Sequence, residues 1–438
     1  MEIPAEEAPV TGPVDALTPR QRRRAIAAAT LGNGLEFYDF ITYAFFAIQI
    51  GNTFFPSESP FLSLMGSLAA FGAGFITRPL GAAVLGTYAD RHGRKPAMLV
   101  SMTMMGVGIL LLALTPGYAT IGYAAPVIAV LARLIQGFAL GGEVGSATIY
   151  MMESSTPQRR GFTMSFQGAS QAVAATIGSL VGLMLSLVMS EAELASYGWR
   201  IALLLGATIV PLALVIRHSL PETIHHADTA VVADDGWRSY LRPIVCGFLI
   251  IASGTIGSYI FTYMATYGQN TLKLSTTISF SGSVANNAIQ IVAVMTGAIL
   301  SDRFGRKAAM VLPQCLFALS VVPCFLWLTT QRDAFSFIGA NLVLAGIGSF
   351  VYGAVYAAIS ESIPKAVRAR VFALVYSIPV AVFGGTTQMV VTWILEVTGD
   401  PMSIAYYLTG VSLVGLGAMI AMRESAPVRI GTLVASPA

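Results

Sequence analysis

Long apolar runs, broken at short intervals by polar and basic turns, dominate the chain from residue 25 onward. A helix needs about 20 predominantly apolar residues to cross a bilayer core. Twelve runs approach or exceed that length, at 25–50, 61–88, 97–115, 121–150, 162–189, 199–216, 243–268, 277–300, 308–329, 336–360, 369–396 and 402–422. Backbone groups in lipid must be satisfied within their own segment, so runs of this length read as helices. The short alternating segments of a membrane β-barrel do not occur. The pattern predicts an all-α transmembrane fold of twelve helices.

The polar turns carry the orientation. Of the 25 Lys and Arg residues, 20 fall on one side if the N-terminus lies inside. They cluster at Arg20–Arg24, Arg91–Lys95, Arg159–Arg160, Arg217–Arg242, Arg303–Lys307, Lys365–Arg370 and Arg423–Arg429, whereas the opposite turns hold Lys273, Arg332 and Arg200. By the positive-inside rule both termini are cytoplasmic. The chain also echoes itself: "GTYADRHGRK" (86–95) returns as "AILSDRFGRK" (298–307), "ESSTPQRRG" (153–161) as "ESIPKAVRAR" (361–370), and "RHSLPE" (217–222) as "RESAPV" (423–428). The offsets of 212, 208 and 206 positions point to two parallel six-helix halves. The expected organisation is a cytoplasmic tail (1–24), a first bundle (25–216), a cytoplasmic linker (217–242), a second bundle (243–422) and a tail (423–438).

Composition agrees with this reading and narrows it. Only 11% of the residues are charged, against roughly a quarter in soluble domains, and mean hydropathy is +0.71. The polar start, ending in "RQRRR", lacks the short apolar core of a cleavable signal, so the first helix reads as an uncleaved anchor. Cys246, Cys315 and Cys324 match no metal or disulfide spacing and read as packing residues. His225 and His226 sit in the linker, where solvation is the simpler reading, and no metal site is expected.

Five charged residues nevertheless fall well inside the apolar runs, away from their edges: Glu36 and Asp39 in the first, Arg78 in the second, Arg133 and Glu143 in the fourth. A charge at mid-bilayer costs roughly 2.5–3.5 kcal/mol on insertion scales, and such residues face a cavity or pair with one another. Glu36, Asp39 and Tyr43 follow i, i+3, i+7 spacing and share a helix face. Asp39 and Arg133 alone would make an ordinary buried ion pair, but three acids stand against two bases. Burial favours the protonated carboxyl and a nearby Arg favours the ionised one. We therefore expect Asp39, Glu36, Arg133 and Glu143 to handle a proton. Protonation frees Arg133, and with it Arg78, to hold carboxylates, for which a planar, permanently charged fork is suited. Arg78 could alternatively snorkel to the interface. No His lies within the runs, so a His relay is excluded.

The second half has no mid-helix charge. Its polar positions are Tyr259, Tyr263, Asn286, Asn287, Gln290 and Gln388, and Gln167, Ser170 and Gln171 cluster at i, i+3, i+4 in the fifth run. Each could be helix–helix glue worth about 0.6 kcal/mol. As a set around one cavity, together with Tyr43 and Gln136, they read as substrate ligands. Gly137, Gly141 and Gly145 recur every four residues and permit close helix contact.

These stretches carry a resemblance. "GTYADRHGRK" and its copy resemble the loop signature of the major facilitator superfamily. "GNGLEFYDF", "RPLGAAVLG", "RLIQGFALGGEVGSATIYMME", "QGASQ" and "YGWRIALLLGA" resemble its metabolite:proton symporter family. "TFFPSESPF", "PGYATIGYAAPV" and "TYGQNTLKLS" look most like the citrate and tricarballylate symporters. The resemblance implies that Asp39 is a proton site coupled to Arg133. It also implies a charge network that locks the halves on the cytoplasmic side, from Gly86, Asp90, Arg91, Gly93, Arg94, Glu153 and Arg160 in the first half. Asp302, Arg303, Gly305, Arg306, Glu361 and Arg368 are their counterparts in the second. The bare alternative is that these charges only set topology.

The sequence thus predicts a monomeric bacterial inner-membrane symporter, with H+ as coupling ion and no cofactor. It moves an organic anion such as citrate by alternating access, without nucleic acid or catalysis. A dicarboxylate, an aromatic acid or an osmolyte such as proline or betaine is the alternative cargo, and a transporter-like sensor the alternative class. A betaine site needs an aromatic cage, and Trp199, Trp237, Trp327 and Trp393 lie near helix ends or in loops. A membrane enzyme finds no metal cluster, nucleophile–His pair or phosphate loop in support.

Overall fold

The computed structural model describes residues 30, 33–34, 37–92, 94–141, 155, 157–218, 241–364 and 367–428. The chain termini, most of the expected linker, and Glu36, Gly93, Glu143, Gly145 and Glu153 lie outside the described residues, as do the side chains of Asp90 and Arg94.

Among the described residues the secondary structure is helical, without strands. In chain order the helices are α1 (37–45), α2 (Ala47–Phe54), α3 (Pro60–Ile76), α4 (Arg78–His92), α5 (Arg94–Leu114), α6 (Ala124–Gly141), α7 (Arg160–Val188) and α8 (Trp199–His218). They continue with α9 (Leu241–Thr266), α10 (Thr276–Phe304), α11 (Arg306–Gln331), α12 (Ala334–Glu361), α13 (Arg368–Pro379), α14 (Gly385–Thr398) and α15 (Ser403–Ala421). Nine helices among the described residues are long and apolar enough to cross a membrane. The run at 97–115 yields a shorter apolar helix, Leu99–Leu114.

Breaks fall where backbone bonds are disturbed. At Phe46, between α1 and α2, one N–H is shared between the carbonyls of Thr42 and Tyr43, both at 3.2 Å. Pro379 lacks an N–H, and the chain passes from α13 to α14 through a π-helical turn, Val380–Gly384. Such turns favour functional sites because they re-aim side chains. Large apolar side chains such as Ile76, Leu114, Leu187 and Leu319 point outward, as expected where lipid rather than water is the solvent.

Glycines set how closely α6 lies on α3 and α4. A Cβ on Gly137 would strike the Gly74 carbonyl, and one on Gly141 the Arg78 carbonyl. The same device recurs between α10 and α12, where Gly297 abuts the Phe350 carbonyl and Gly353 that of Val294. In the first group this contact brings Arg78 and Arg133 onto neighbouring turns. Helices up to α8 meet helices from α9 onward mainly through α7 with α10 and α12, and through α3 with α14.

Candidate functional site

Asp39 on α1 and Arg133 on α6 are both buried, at 1% and 0% exposure. They are joined through a third side chain: Gln136 Nε2 donates to Asp39 Oδ2 at 2.8 Å, and Arg133 Nη1 donates to Gln136 Oε1 at 2.6 Å. Arg133 and Gln136 stand at i, i+3 and so share a helix face, which aims the amide between the charges. Asp39 Oδ1 and Arg133 Nε and Nη2 are buried without hydrogen-bond partners among the described residues. The acid therefore keeps one oxygen able to take a proton, in a setting where an unpaired charge is costly.

Arg133 is held by rings instead. Its guanidinium carbon stands 4.6 Å from the Phe40 ring centre, 4.5 Å from Tyr43 and 5.2 Å from Phe71. Arg78, at the start of α4, stands 4.5 Å from Phe40 and 4.0 Å from Phe75. Cation–π contacts of this kind are worth about 2 kcal/mol or more when desolvated. Phe40, Phe71 and Phe75 also pack on one another, with ring centres 4.7 to 5.5 Å apart.

On the far side of Arg78 lies a cavity of about 190 Å³ between the two groups of helices. Arg78 is the one charged residue that lines it among the described residues; Gln171, Tyr259, Asn287 and Gln290 join it there. Tyr259 lies against Arg78. Asp39, Arg133, Gln136 and Tyr43 are not at the wall but one layer behind, with Phe37, Ile41 and Arg78 in front. Among the described residues the acid expected here, Asp39, is thus buried behind the wall rather than lining it, and Arg78 is the cation at the wall.

The other expected ligands are scattered. Tyr43 donates to the Ser67 carbonyl at 3.0 Å, and the Tyr263 hydroxyl accepts from Thr392 at 3.0 Å. Gln167, Asn286 and Gln388 are buried off the cavity. Asn287 Nδ2 reaches the Ala175 carbonyl at 3.3 Å and so ties α10 to α7, while its Oδ1 accepts from Gln290 at 3.4 Å.

At the basic-turn end, Asp302 joins the two groups of helices. Its oxygens accept from the backbone N–H groups of Gly161 at 3.0 Å and Phe162 at 2.9 Å, on the first turn of α7. A helix N-terminus favours a carboxylate there. Arg306, 1% exposed, binds Asp302 Oδ1 at 2.5 Å and forks onto both Glu361 oxygens at 3.1 and 3.0 Å. Gly305 takes φ of 107° between α10 and α11, a conformation open to glycine at little cost. Arg368 Nε donates to the Ile363 carbonyl at 3.0 Å; Arg303 lies over Phe304, Arg91 is exposed, Arg160 is partly buried, and a Cβ on Gly86 would meet open space. At the opposite end Thr276 donates to Glu191 at 2.9 Å, again across the groups.

Three sets of residues escape the sequence reading. Tyr352, Tyr356 and Tyr376 line the cavity with Tyr259; the i, i+4 spacing of the first two on α12 was a usable signal. Glu424 accepts from the backbone N–H groups of Arg306 at 2.8 Å and Lys307 at 3.1 Å, and it lies in the echoed segment 423–428. Phe40, Phe71 and Phe75 are apolar residues in apolar runs and gave no contrast.

The sequence profile of the Major Facilitator Superfamily matches residues 29–379. The citrate-proton symporter of Salmonella typhi is 40% identical over 404 residues, spanning 90% of this chain and 92% of that one. The proline/betaine transporter of Escherichia coli K12 is 31% identical over 444 residues, spanning 94% and 86%. A crystal structure of a D-xylose-proton symporter superposes with a TM-score of 0.76 at 18% identity, over 92% of this chain and 98% of the other, and speaks for the fold alone. The chain belongs to the Major Facilitator Superfamily, as a metabolite:proton symporter similar to the citrate-proton symporters.

Proposed function

We propose that the chain carries an organic anion, a tricarboxylate such as citrate, inward with protons by alternating access. In this reading it is a monomer of twelve spans in two six-helix bundles, 25–216 and 243–422, with both termini cytoplasmic in a bacterial inner membrane. H+ is the coupling ion, and no cofactor takes part. Arg78 holds a substrate carboxylate at the cavity wall, with donors from Gln171, Tyr259 and Gln290. Asp39 takes the proton behind it. Gln136 transmits the change, because its amide ties the carboxylate to Arg133. Asp302 and Arg306 close the cytoplasmic end, and the Glu191–Thr276 contact closes the other. Both sets are made in this structure, and alternation then breaks one while the other holds.

One observation carries this reading: a cation at the wall of a cavity, a single aromatic layer from a sealed acid–amide–cation relay. The test is uptake in proteoliposomes with an imposed pH gradient, across labelled di- and tricarboxylates. Accumulation of a tricarboxylate driven by inward protons is expected. Uptake indifferent to the gradient for every anion refutes it.

A second cargo has support of its own. Four tyrosines line the cavity beside one Arg, a set that also suits a zwitterion, with its carboxylate on Arg78 and its quaternary ammonium among the rings. Labelled glycine betaine in the same assay decides between them.

A further inference from the structure

The relay and the cavity cation share one side chain to which no transport role has been given. Among the described residues, Phe40 is the ring that meets both guanidiniums: Phe75 meets Arg78 alone, and Tyr43 and Phe71 meet Arg133 alone. It is fully buried and does not line the cavity, while Phe37 and Ile41 on the same helix do. It also follows Asp39 directly in the chain, so the backbone that carries the acid carries the ring.

Two like charges gathered on one apolar side chain require an attraction to hold them. An aromatic face supplies it through its quadrupole, and an aliphatic side chain of the same volume does not. Arg78 borders the cavity, where Phe75 at 4.0 Å and Tyr259 also lie against it. Arg133 is sealed and tied to Gln136. Phe40 is the ring contact common to both cations and so ties the wall cation to the relay, and a charge change at the relay is felt at the wall more strongly the shorter that separation is.

We propose that Phe40 is a positioning residue of symport: its ring holds Arg78 and Arg133 together so that the charge state of Asp39 sets the affinity for the anion at Arg78. This rests on the reading of the chain as a proton-coupled anion symporter.

The experiment uses the full-length protein in proteoliposomes, reading protons moved per anion and the ratio of anion affinities at mildly acid and mildly alkaline pH. Position 40 carries phenylalanine with one, two or three ring fluorines, which keep the shape and weaken the quadrupole stepwise, alongside Phe40→Leu and Phe40→Trp. The unmodified protein is expected to bind about tenfold more tightly at acid pH. That ratio falls step by step along the fluorine series, approaches one in Phe40→Leu, and returns in Phe40→Trp. A purely packing role leaves the ratio flat across the fluorinated proteins, and that result overturns the proposal. If Phe40→Leu does not fold, the fluorine series decides alone. An unmodified protein that moves no protons with any anion instead overturns the symport reading itself, and the role of Phe40 with it.

Discussion

Asp39→Asn places a permanently neutral, nearly isosteric group in the relay and so imitates the protonated acid. Gln136 keeps an acceptor, because the Asn carboxamide oxygen can take its Nε2–H at the position of Oδ2, now 2.8 Å away. The size of the effect follows from geometry. The two guanidinium carbons stand 4.5 and 4.6 Å from one ring centre. For a separation of roughly 10–13 Å between Asp39 and an anion on the cavity side of Arg78, one unit charge at an effective dielectric of about 20 contributes about 1.3–1.7 kcal/mol. Removing that charge should tighten anion binding about tenfold. Linkage requires the same factor in reverse: a bound anion favours a proton on Asp39 by as much as the proton favours the anion. Binding to the purified protein, measured by calorimetry across a pH series, should change about tenfold in the wild type. In Asp39→Asn it should stay at the tight limit at every pH. Counterflow in proteoliposomes should survive in the variant, while accumulation against a gradient is lost. If Asp39→Asn binds the anion weakly, or keeps the wild-type pH dependence, the electrostatic link between relay and wall is wrong.

Arg78→Gln should weaken anion binding about 10- to 100-fold, the range for loss of a charge-assisted hydrogen bond. Arg78→Lys should recover part of it, since the ammonium keeps the charge without the planar fork; titration of the purified proteins reads both. Asp302→Ala leaves two N–H groups of α7 and part of the Arg306 fork without their carboxylate. A loss of about 1.4 kcal/mol or more is expected, read as about tenfold faster maleimide labelling of cysteines placed at that end. Gly141→Val forces α6 off the Arg78 carbonyl and should sharply lower detergent-solubilised yield and melting temperature, whereas a change at the open position of Gly417 should not. Asp333, outside the spans, caps α12 through the Ser336 N–H, which holds its carboxyl below the usual range. A depressed carboxyl stabilises the fold above its unfolded value and loses that effect as pH falls through the folded one. Asp333→Ala should therefore flatten the acid limb of the melting curve.

Much of this was legible in the chain. Nine of the twelve apolar runs correspond to helices long enough to span among the described residues, because lipid leaves the backbone no other partner, and the echoed basic turns with the family resemblance singled out Asp302, Arg306 and Glu361. Arg78 and Arg133 announced themselves by cost alone. What the chain could not supply was depth. Gln136 and Gln171 are the same residue type on inward faces, yet one sits in the relay and the other at the wall. Periodicity gives a face and not a layer. The tyrosines of α12 and α13 were passed over because hydroxyls cost less in lipid than charges and stand out less. Phe40 was invisible for the opposite reason: its contacts with two cations are made by a residue that any apolar run tolerates.

That depth bears on coupling. An acid open to the cavity would exchange protons readily, but water around it would screen its charge. At a dielectric of about 80 the same separation gives about 0.3–0.4 kcal/mol, about twofold in affinity at most. Buried behind Phe37, Ile41 and Arg78, the same charge would, in the proposed scheme, act through a poorly screening medium and should reach about tenfold. On the proposed reading the burial would slow proton access, and an alternating transporter can bear this, because the layer in front of Asp39 would have to open only once per cycle. A relay placed at the wall would gain speed and lose the coupling that makes the proton gradient useful.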